Sequence, residues 1–451
     1  MFKTLANAWK IPDIRKKILF TAFIVLLFRI GANIPTPFVS IIGEDGLLGA
    51  TEGTTFLNYL SMMTGDAFNY GTIFALSITP YINSSIIIQL LTVAIPALER
   101  LSKEGEEGRK KIAKITRYVT LALGLLQSVA YFIYLQAQKF LLYKGEDVFP
   151  QIFQGVVIVS VLTAGTTLVM WLGEQINNKG IGNGISIILF AGIISRIPTE
   201  MTGLFGTTED YTGAAFTGSI PRLIISIVVV ISYLLMIAYI VWMDNAERRI
   251  PVQYAKRVVG RKMYGGQSTH IPIKVNMSGV MPVIFASSIL SLPPTIELFV
   301  SASQNYKEDG ALAKFFDLFD VSNPFYCVIY FILIIFFAYF YAAIQYNPVE
   351  MANNIRNNSG TIPGIRPGKP TAMYIQKIIS RIILLGALLL SVVALFPNVF
   401  ALVTELILGE GQSMHVSLGG TSIIIMVGVA LETVKQLESQ MMLRHYKGFL
   451  D

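Results

Sequence analysis

The sequence predicts an all-α polytopic membrane protein, and three observations carry that reading. The chain of 451 residues is 53% hydrophobic and only 14% charged, well below the charge content of about 25% in soluble domains. Its apolar residues fall into ten runs close to the ~20 residues that cross a hydrocarbon core of roughly 30 Å. Lysine and arginine collect in alternate connections between those runs, the pattern expected when one face of the membrane retains positive charge.

The runs cover 18–36, 71–96, 115–138, 151–172, 181–199, 219–243, 276–299, 323–345, 376–397 and 415–436. The first begins as ILFTAFIVLLF behind Lys3, Lys10, Arg15, Lys16 and Lys17, in the manner of a signal peptide. No small-residue cleavage site follows it, so it is expected to stay as the first span. A short interfacial helix with Phe2, Leu5 and Trp9 on one face is expected before it. The amino terminus, the loops 97–114, 244–275 and 346–377, Lys179, and the carboxyl-terminal tail with Lys435 just before it hold 26 lysines and arginines. The opposite connections hold six, and 37–70 and 398–414 hold none. Both termini are therefore expected in the cytoplasm.

Three segments do not read as plain loops. Thr55–Phe68, TFLNYLSMMTGDAF, is apolar but too short to span, so it either re-enters the membrane or lies on the headgroups. The loop 244–275 sets Arg248, Arg249, Lys256, Arg257, Arg261 and Lys262 among β-prone residues. The runs VQYAKRVV and RKMY, punctuated by Gly260 and Gly265-Gly266, predict a hairpin-like projection. In the loop 346–377, Asn347-Pro348 can open a short helix, and PGIRPGKP forms a stiff turn that displays Arg366 and Lys369. Two structured basic loops on one face suit an acidic or phosphate-rich partner better than anionic lipid.

Several function classes are disfavoured by what the sequence lacks. The ionisable residues in or near the spans, Arg29, Glu174, Glu297 and Glu432, sit mostly toward span ends and form no midplane relay of the kind ion-coupled transport uses. GIRPGKP lacks the upstream glycine of a phosphate-binding loop, and GIGNGIS, Gly180–Ser186, has the wrong spacing for a dinucleotide. The single cysteine, Cys327, and the scattered His270, His415 and His445 offer neither a disulfide nor a metal site. No cofactor and no enzymatic activity are expected.

The stretch TPYINSSIIIQLL, Thr79–Leu91, is polar for a span. At helical spacing Ile78, Ile82, Ser85 and Gln89 share one face. That face suits either a conduit with an apolar constriction or ordinary interhelical packing through small polar groups.

Here the residues carry a resemblance. SITPYINSSIIIQLL, KEGEEGRKK, WLGEQINNKGIGNGISI, YAKRVVGRKMYGGQSTHIPIKVNMSGV, YNPVE, TIPGIRPGKPT and GGTSIII resemble, end to end and in order, the SecY family of protein-conducting channel subunits. The resemblance implies two inverted five-helix halves, 1–199 and 219–436, followed by a cytoplasmic tail 437–451. It implies a pore ring at Ile78, Ile82, Leu189, Ile284 and Ile425, with Leu189 in place of the family's common isoleucine. A re-entrant plug at about 55–70 would carry Phe56, Leu57, Tyr59, Leu60, Met62 and Met63. A lateral gate would place Asn83, Ile86, Ile87, Gln89, Leu90 and Thr92 opposite Ser287, Ser288 and Leu292, with weak hydrogen bonds across it that a signal sequence displaces.

The two basic loops would dock a SecA-type motor ATPase or the phosphates of ribosomal RNA, with Arg366 matching an arginine important for motor-driven export. Small SecE-type and SecG-type subunits are expected partners, beside signal sequences, nascent polypeptides and lipid. The expectation is a passive channel in the bacterial plasma membrane. An insertase without a through-pore is the alternative, and a secondary solute transporter is a weaker one.

Overall fold

The computed structural model describes residues 8–40, 64–65, 67–137, 140–142, 148–205, 220–254, 257–259, 262–264, 268–301, 310–319, 323–408 and 420–447. The helices are α1 Pro12–Gly31, α2 Thr79–Ala94, α3 Pro96–Lys103, α4 Glu106–Ala137, α5 Val148–Lys179, α6 Gly184–Phe205, α7 Ile220–Asn245, α8 Met281–Leu290, α9 Leu292–Ser301, α10 Ala311–Asp317, α11 Pro324–Gln345, α12 Pro348–Asn357, α13 Lys369–Leu408 and α14 Gly420–Lys447. The strands are β1 Glu247–Tyr254, β2 Arg257–Val259, β3 Lys262–Tyr264, β4 Ser268–Lys274 and β5 Gly360–Thr361. Among the described residues six helices are long and apolar enough to cross a membrane, or seven if the bent pair α2 and α3 counts as one, and 184–199 and 281–294 are shorter apolar helices.

The chain divides into two compact units, one of 1–214, 290–326 and 429–451, the other of 215–289 and 327–428. In the first unit α4 packs along α2 and α5, and α1 lies against α5 and α6. Phe68, Ala75, Tyr131, Tyr134, Leu135, Phe140, Leu141, Ile158 and Leu162 form one apolar core there. A smaller cluster of Ala8, Ile14, Ile181 and Leu437 joins the amino-terminal helices to α14.

Span two departs from the continuous helix expected over 71–96. Residues 72–78 form successive turns closed by bonds such as Ala75 N–H to Thr72 O and Ser77 N–H to Phe74 O. Ser77 takes a left-handed φ of 46°, which ends any helical path. Pro80 then sits in the first turn of α2, where its missing N–H removes nothing that a helix interior would need. It opens the helix rather than bending it. Turn backbone can lie this deep because Gly165 of α5 has no side chain: a Cβ there would stand 2.1 Å from the Ile73 carbonyl oxygen.

The loop expected at 97–114 is largely helical. Ile95 is extended, as a residue before proline must be, and the chain bends by 101° into α3. Span seven, expected at 276–299, is instead two helices that meet at Ser291. Pro293 and Pro294 supply no N–H to continue α8, so they begin α9. In the other direction α13 runs on through Pro397 to Leu408, into residues expected as a connection.

The second unit holds the basic loops. β1 pairs antiparallel with β4 from Glu247↔Lys274 to Gln253↔Ser268, and β2 pairs with β3 beyond them. The expected short helix is α12, whose amino terminus is capped by the Asn347 side chain accepting from Val349 N–H at 3.1 Å and Glu350 N–H at 3.4 Å. Ile250, Val252 and Ile273 of the sheet share a core with Ala338 and Ala342 of α11, Ala352 and Ile355 of α12, and Ile375, Ile379 and Ile383 of α13.

Candidate functional site

The five ring candidates are all buried: Ile78 (1% exposed), Ile82 (9%) and Leu189 (3%) in the first unit, Ile284 (6%) and Ile425 (1%) in the second. Ile78 and Ile82 lie one turn apart at the start of α2, with Ile82 N–H donating to the Ile78 carbonyl. Ile78 and Ile188, the neighbour of Leu189, both lie beside Gly173 of α5: a Cβ on it would make ordinary contact with both side chains, at 3.7 and 3.5 Å.

Farther along α2, Ser85 and Gln89 are half-buried on the face expected, and Gln89 Nε2 reaches Ser85 Oγ at 3.5 Å. Ile86 is buried, Ile87 exposed, and Asn83, Leu90 and Thr92 lie between. The hydroxyls of Ser84 and Thr92 donate to Pro80 and Ile88 carbonyls of their own helix, each at 2.7 Å. Ser287 on α8 donates to Ile284 O at 2.9 Å. These hydroxyl protons are spent on local backbone, which spares the polar groups from needing a fixed partner on another helix. Of the other gate candidates, Ser288 is half-buried and Leu292 is exposed.

The plug candidates Phe56, Leu57, Tyr59, Leu60, Met62 and Met63 lie outside the described residues. The turn at Thr64–Phe68, just beyond them, is firmly held. Gly65 takes φ 67°, and its carbonyl accepts from Arg29 Nη1 of α1 at 3.5 Å. Phe68 N–H donates to Thr64 Oγ1 at 3.2 Å, and the Phe68 carbonyl accepts from the Tyr131 hydroxyl of α4 at 3.0 Å. The Phe68 and Tyr131 rings meet edge-on at 4.8 Å. Sequence reasoning missed Tyr131, one of three tyrosines in its apolar span with Tyr118 and Tyr134, and also Arg117, which links α4 to α5 by a 2.6 Å bond to Glu174.

Among the docking candidates, Lys256 and Arg261 lie outside the described residues, and Arg257 and Lys262 belong to β2 and β3. On β1 the burial alternates: Ile250 and Val252 point into the core, while Arg249, Pro251 and Gln253 face out. Arg248 is exposed at the strand's start, and Arg249 pairs with Glu247 at 2.7 Å. Arg366 and Lys369 are exposed on a turn built by Gly364 at φ 81° and Gly368 at φ 105°. Buried Thr371 braces that turn by donating to the Arg366 carbonyl at 2.8 Å.

The chain resembles known proteins over its whole length. The SecY family model matches residues 72–434. Proteins named protein translocase subunit SecY from Streptomyces galbus and Mycobacterium bovis are each 43% identical to it, covering 100% of this chain and 100% of theirs. In fold it is similar to a solved structure described as a protein-conducting channel, with a TM-score of 0.60 at 16% identity over 94% of this chain and 92% of that one. It is also similar to Sec61 in a canine ribosome–channel complex, with a TM-score of 0.56 at 15% identity over the same shares. With a family model matched across most of its length and full-length relatives at this identity, the chain belongs to the SecY family.

Proposed function

We propose that this chain is the channel subunit of a bacterial protein translocase. It passes unfolded secretory polypeptides across the plasma membrane and releases hydrophobic segments sideways into lipid. The observation that carries the reading is the full-length identity to proteins named translocase subunits. The chain is not an enzyme, and energy comes from a partner: a SecA-type motor ATPase, or the ribosome through its RNA phosphates. The similarity of fold to a channel in a ribosome complex supports the second partner. SecE-type and SecG-type subunits complete the assembly.

In this reading ten spans form two inverted halves, 1–199 and 219–436, with both termini cytoplasmic. Ile78, Ile82, Leu189, Ile284 and Ile425 form the constriction, since aliphatic side chains exclude water and ions without binding what passes. Segment 55–70 is the plug, and α2 with α8 borders the lateral gate. Because the hydroxyls of Ser84, Thr92 and Ser287 are satisfied within their helices, parting the gate breaks few polar bonds. A hydrophobic signal then replaces contacts of similar strength. Loops 244–275 and 346–377 dock the energy source.

The test places a photo-crosslinking residue at Ile82 and, separately, at Leu235, which is 66% exposed on α7. A secretory polypeptide is then stalled midway through export. Crosslinks at Ile82 and none at Leu235 are expected. If a chain shown by protease protection to be stalled fails to crosslink at Ile82, the channel assignment is wrong and an insertase without a through-pore takes its place.

A further inference from the structure

The two basic loops are separate in sequence but joined in the fold. β5, only Gly360–Thr361, adds to the open side of β1, giving a three-stranded sheet in the order β4-β1-β5. Gln253 pairs with Thr361 and Tyr254 with Gly360, and the Thr361 hydroxyl reaches the Gln253 carbonyl at 3.4 Å. The seam is tight. A Cβ on Gly360 would stand 3.0 Å from Tyr254 Cε1 and 3.1 Å from both Cγ2 and the carbonyl oxygen of Ile355. Beneath it Val252, Ile355 and Ile362 are buried in one core with α11 and α13.

The next residues after the seam lead directly to Arg366. Ile362 is anchored in the core, and Ile365 N–H bonds back to the Ile362 carbonyl at 3.1 Å. The sheet's outward face presents Arg249, Gln253, His270, Lys274 and Thr361, on the side opposite Ile250 and Val252. Arg249 there is already engaged by Glu247. Cations interleaved with neutral hydrogen-bonding groups and an acid suit an acidic protein surface better than a phosphate backbone, which calls for a dense run of unpaired positive charge.

We propose that the two loops form one receptor for an acidic protein surface, held in register by the seam between β1 and β5, so that the partner reads Arg366 and the β1–β4 face at a fixed spacing. This rests on the reading that the loops dock the motor ATPase. A rigid two-part surface binds without the cost of ordering each part. Separating the parts trades one bivalent contact for two weak ones, and such linkage effects reach about 10²–10⁴ in affinity.

The experiment measures hydrogen exchange in both loops and motor affinity, using the assembled translocase and a purified SecA-type ATPase. Thr361→Pro removes the N–H that β5 offers the ladder. A second variant, Gln253→Cys with Thr361→Cys, locks the seam by a disulfide across a pair of neighbouring strands, where Cα separations of about 4.5–5.5 Å permit one. In the parent the motor is expected to slow exchange in both loops. With Thr361→Pro it is expected to slow exchange in one loop only and to bind about tenfold or more weakly, whereas the double-cysteine variant, which lacks two side chains of the face in either redox state, is expected to bind at least as tightly oxidised as reduced.

Equal affinity and two-loop protection with Thr361→Pro would overturn the seam's role, as would weaker binding by the double-cysteine variant when oxidised than when reduced. If the motor slows exchange in neither loop of the parent, the docking reading itself fails. If ribosomes do so instead, the partner class is wrong.

Discussion

Replacing Tyr131 with phenylalanine isolates one hydrogen bond at the carboxyl end of the proposed plug. The edge-on ring contact with Phe68 survives, while the hydroxyl that donates to the Phe68 carbonyl over 3.0 Å is lost. Both residues are buried, Tyr131 and Phe68 at 4% exposure each, so water does not replace the donor. A buried carbonyl left without any partner costs about 1–3 kcal/mol. Here the Phe68 carbonyl also accepts from Gly71 N–H at 3.1 Å, so it keeps one bond.

The loss should therefore fall to the net worth of a single hydrogen bond, about 1 kcal/mol, or roughly fivefold in the equilibrium between seated and released states. Hydrogen exchange at the amides of 68–75 should accelerate by that factor in Tyr131→Phe. In Tyr131→Ala, which also deletes the ring, the cost should rise to about 3–5 kcal/mol. Exchange unchanged in Tyr131→Phe, or equal in the two variants, would refute the assignment of a bond that holds this turn to α4.

Four further outcomes are expected. Asn347→Ala removes the cap of α12 and should lower stability by about 1 kcal/mol, read as a shift of the denaturation midpoint. Gly165→Ala forces a methyl group against the Ile73 carbonyl and should cost about 1–3 kcal/mol by overpacking, read as reduced yield of folded protein and lower Tm. Thr371→Val should weaken motor binding about fivefold by releasing the Arg366 turn, with rescue by Thr371→Ser, which keeps the hydroxyl. Glu174→Gln should shift stability by no more than about 1 kcal/mol, because the Arg117 side chain is half exposed and exposed ion pairs contribute little; a double-mutant cycle with Arg117→Gln checks it.

Much of the candidate docking site was legible in the chain. Asn347-Pro348 announced a capped helix because an asparagine oxygen followed by a residue without an N–H matches the first turn's unsatisfied donors. The β-prone runs around Gly260 and Gly265-Gly266 announced the hairpin. The same local reasoning failed at 71–78, where an apolar run looked helical. Hydropathy measures only affinity for an apolar environment. Whether the backbone in that environment is helix or turn depends on the bonds that Ile34 and Thr36, beyond α1, make with Ile73 and Gly71, and on the missing side chain at Gly165, none of which is local to the run.

Residue chemistry along the chain was enough to settle which segments are apolar enough for lipid, which connections carry the positive charge, and where prolines and asparagines start helices. These follow from a residue's own solvation and backbone limits. Packing in three dimensions was needed for a two-residue strand to weld two loops, 106 residues apart from Tyr254 to Gly360, into one sheet, and for Tyr131 and Arg29 to hold the turn behind the proposed plug. Two residues carry no periodicity, and a lone hydroxyl shows no preferred partner. Such contacts form only after the apolar spans have packed and brought distant backbone within hydrogen-bond reach.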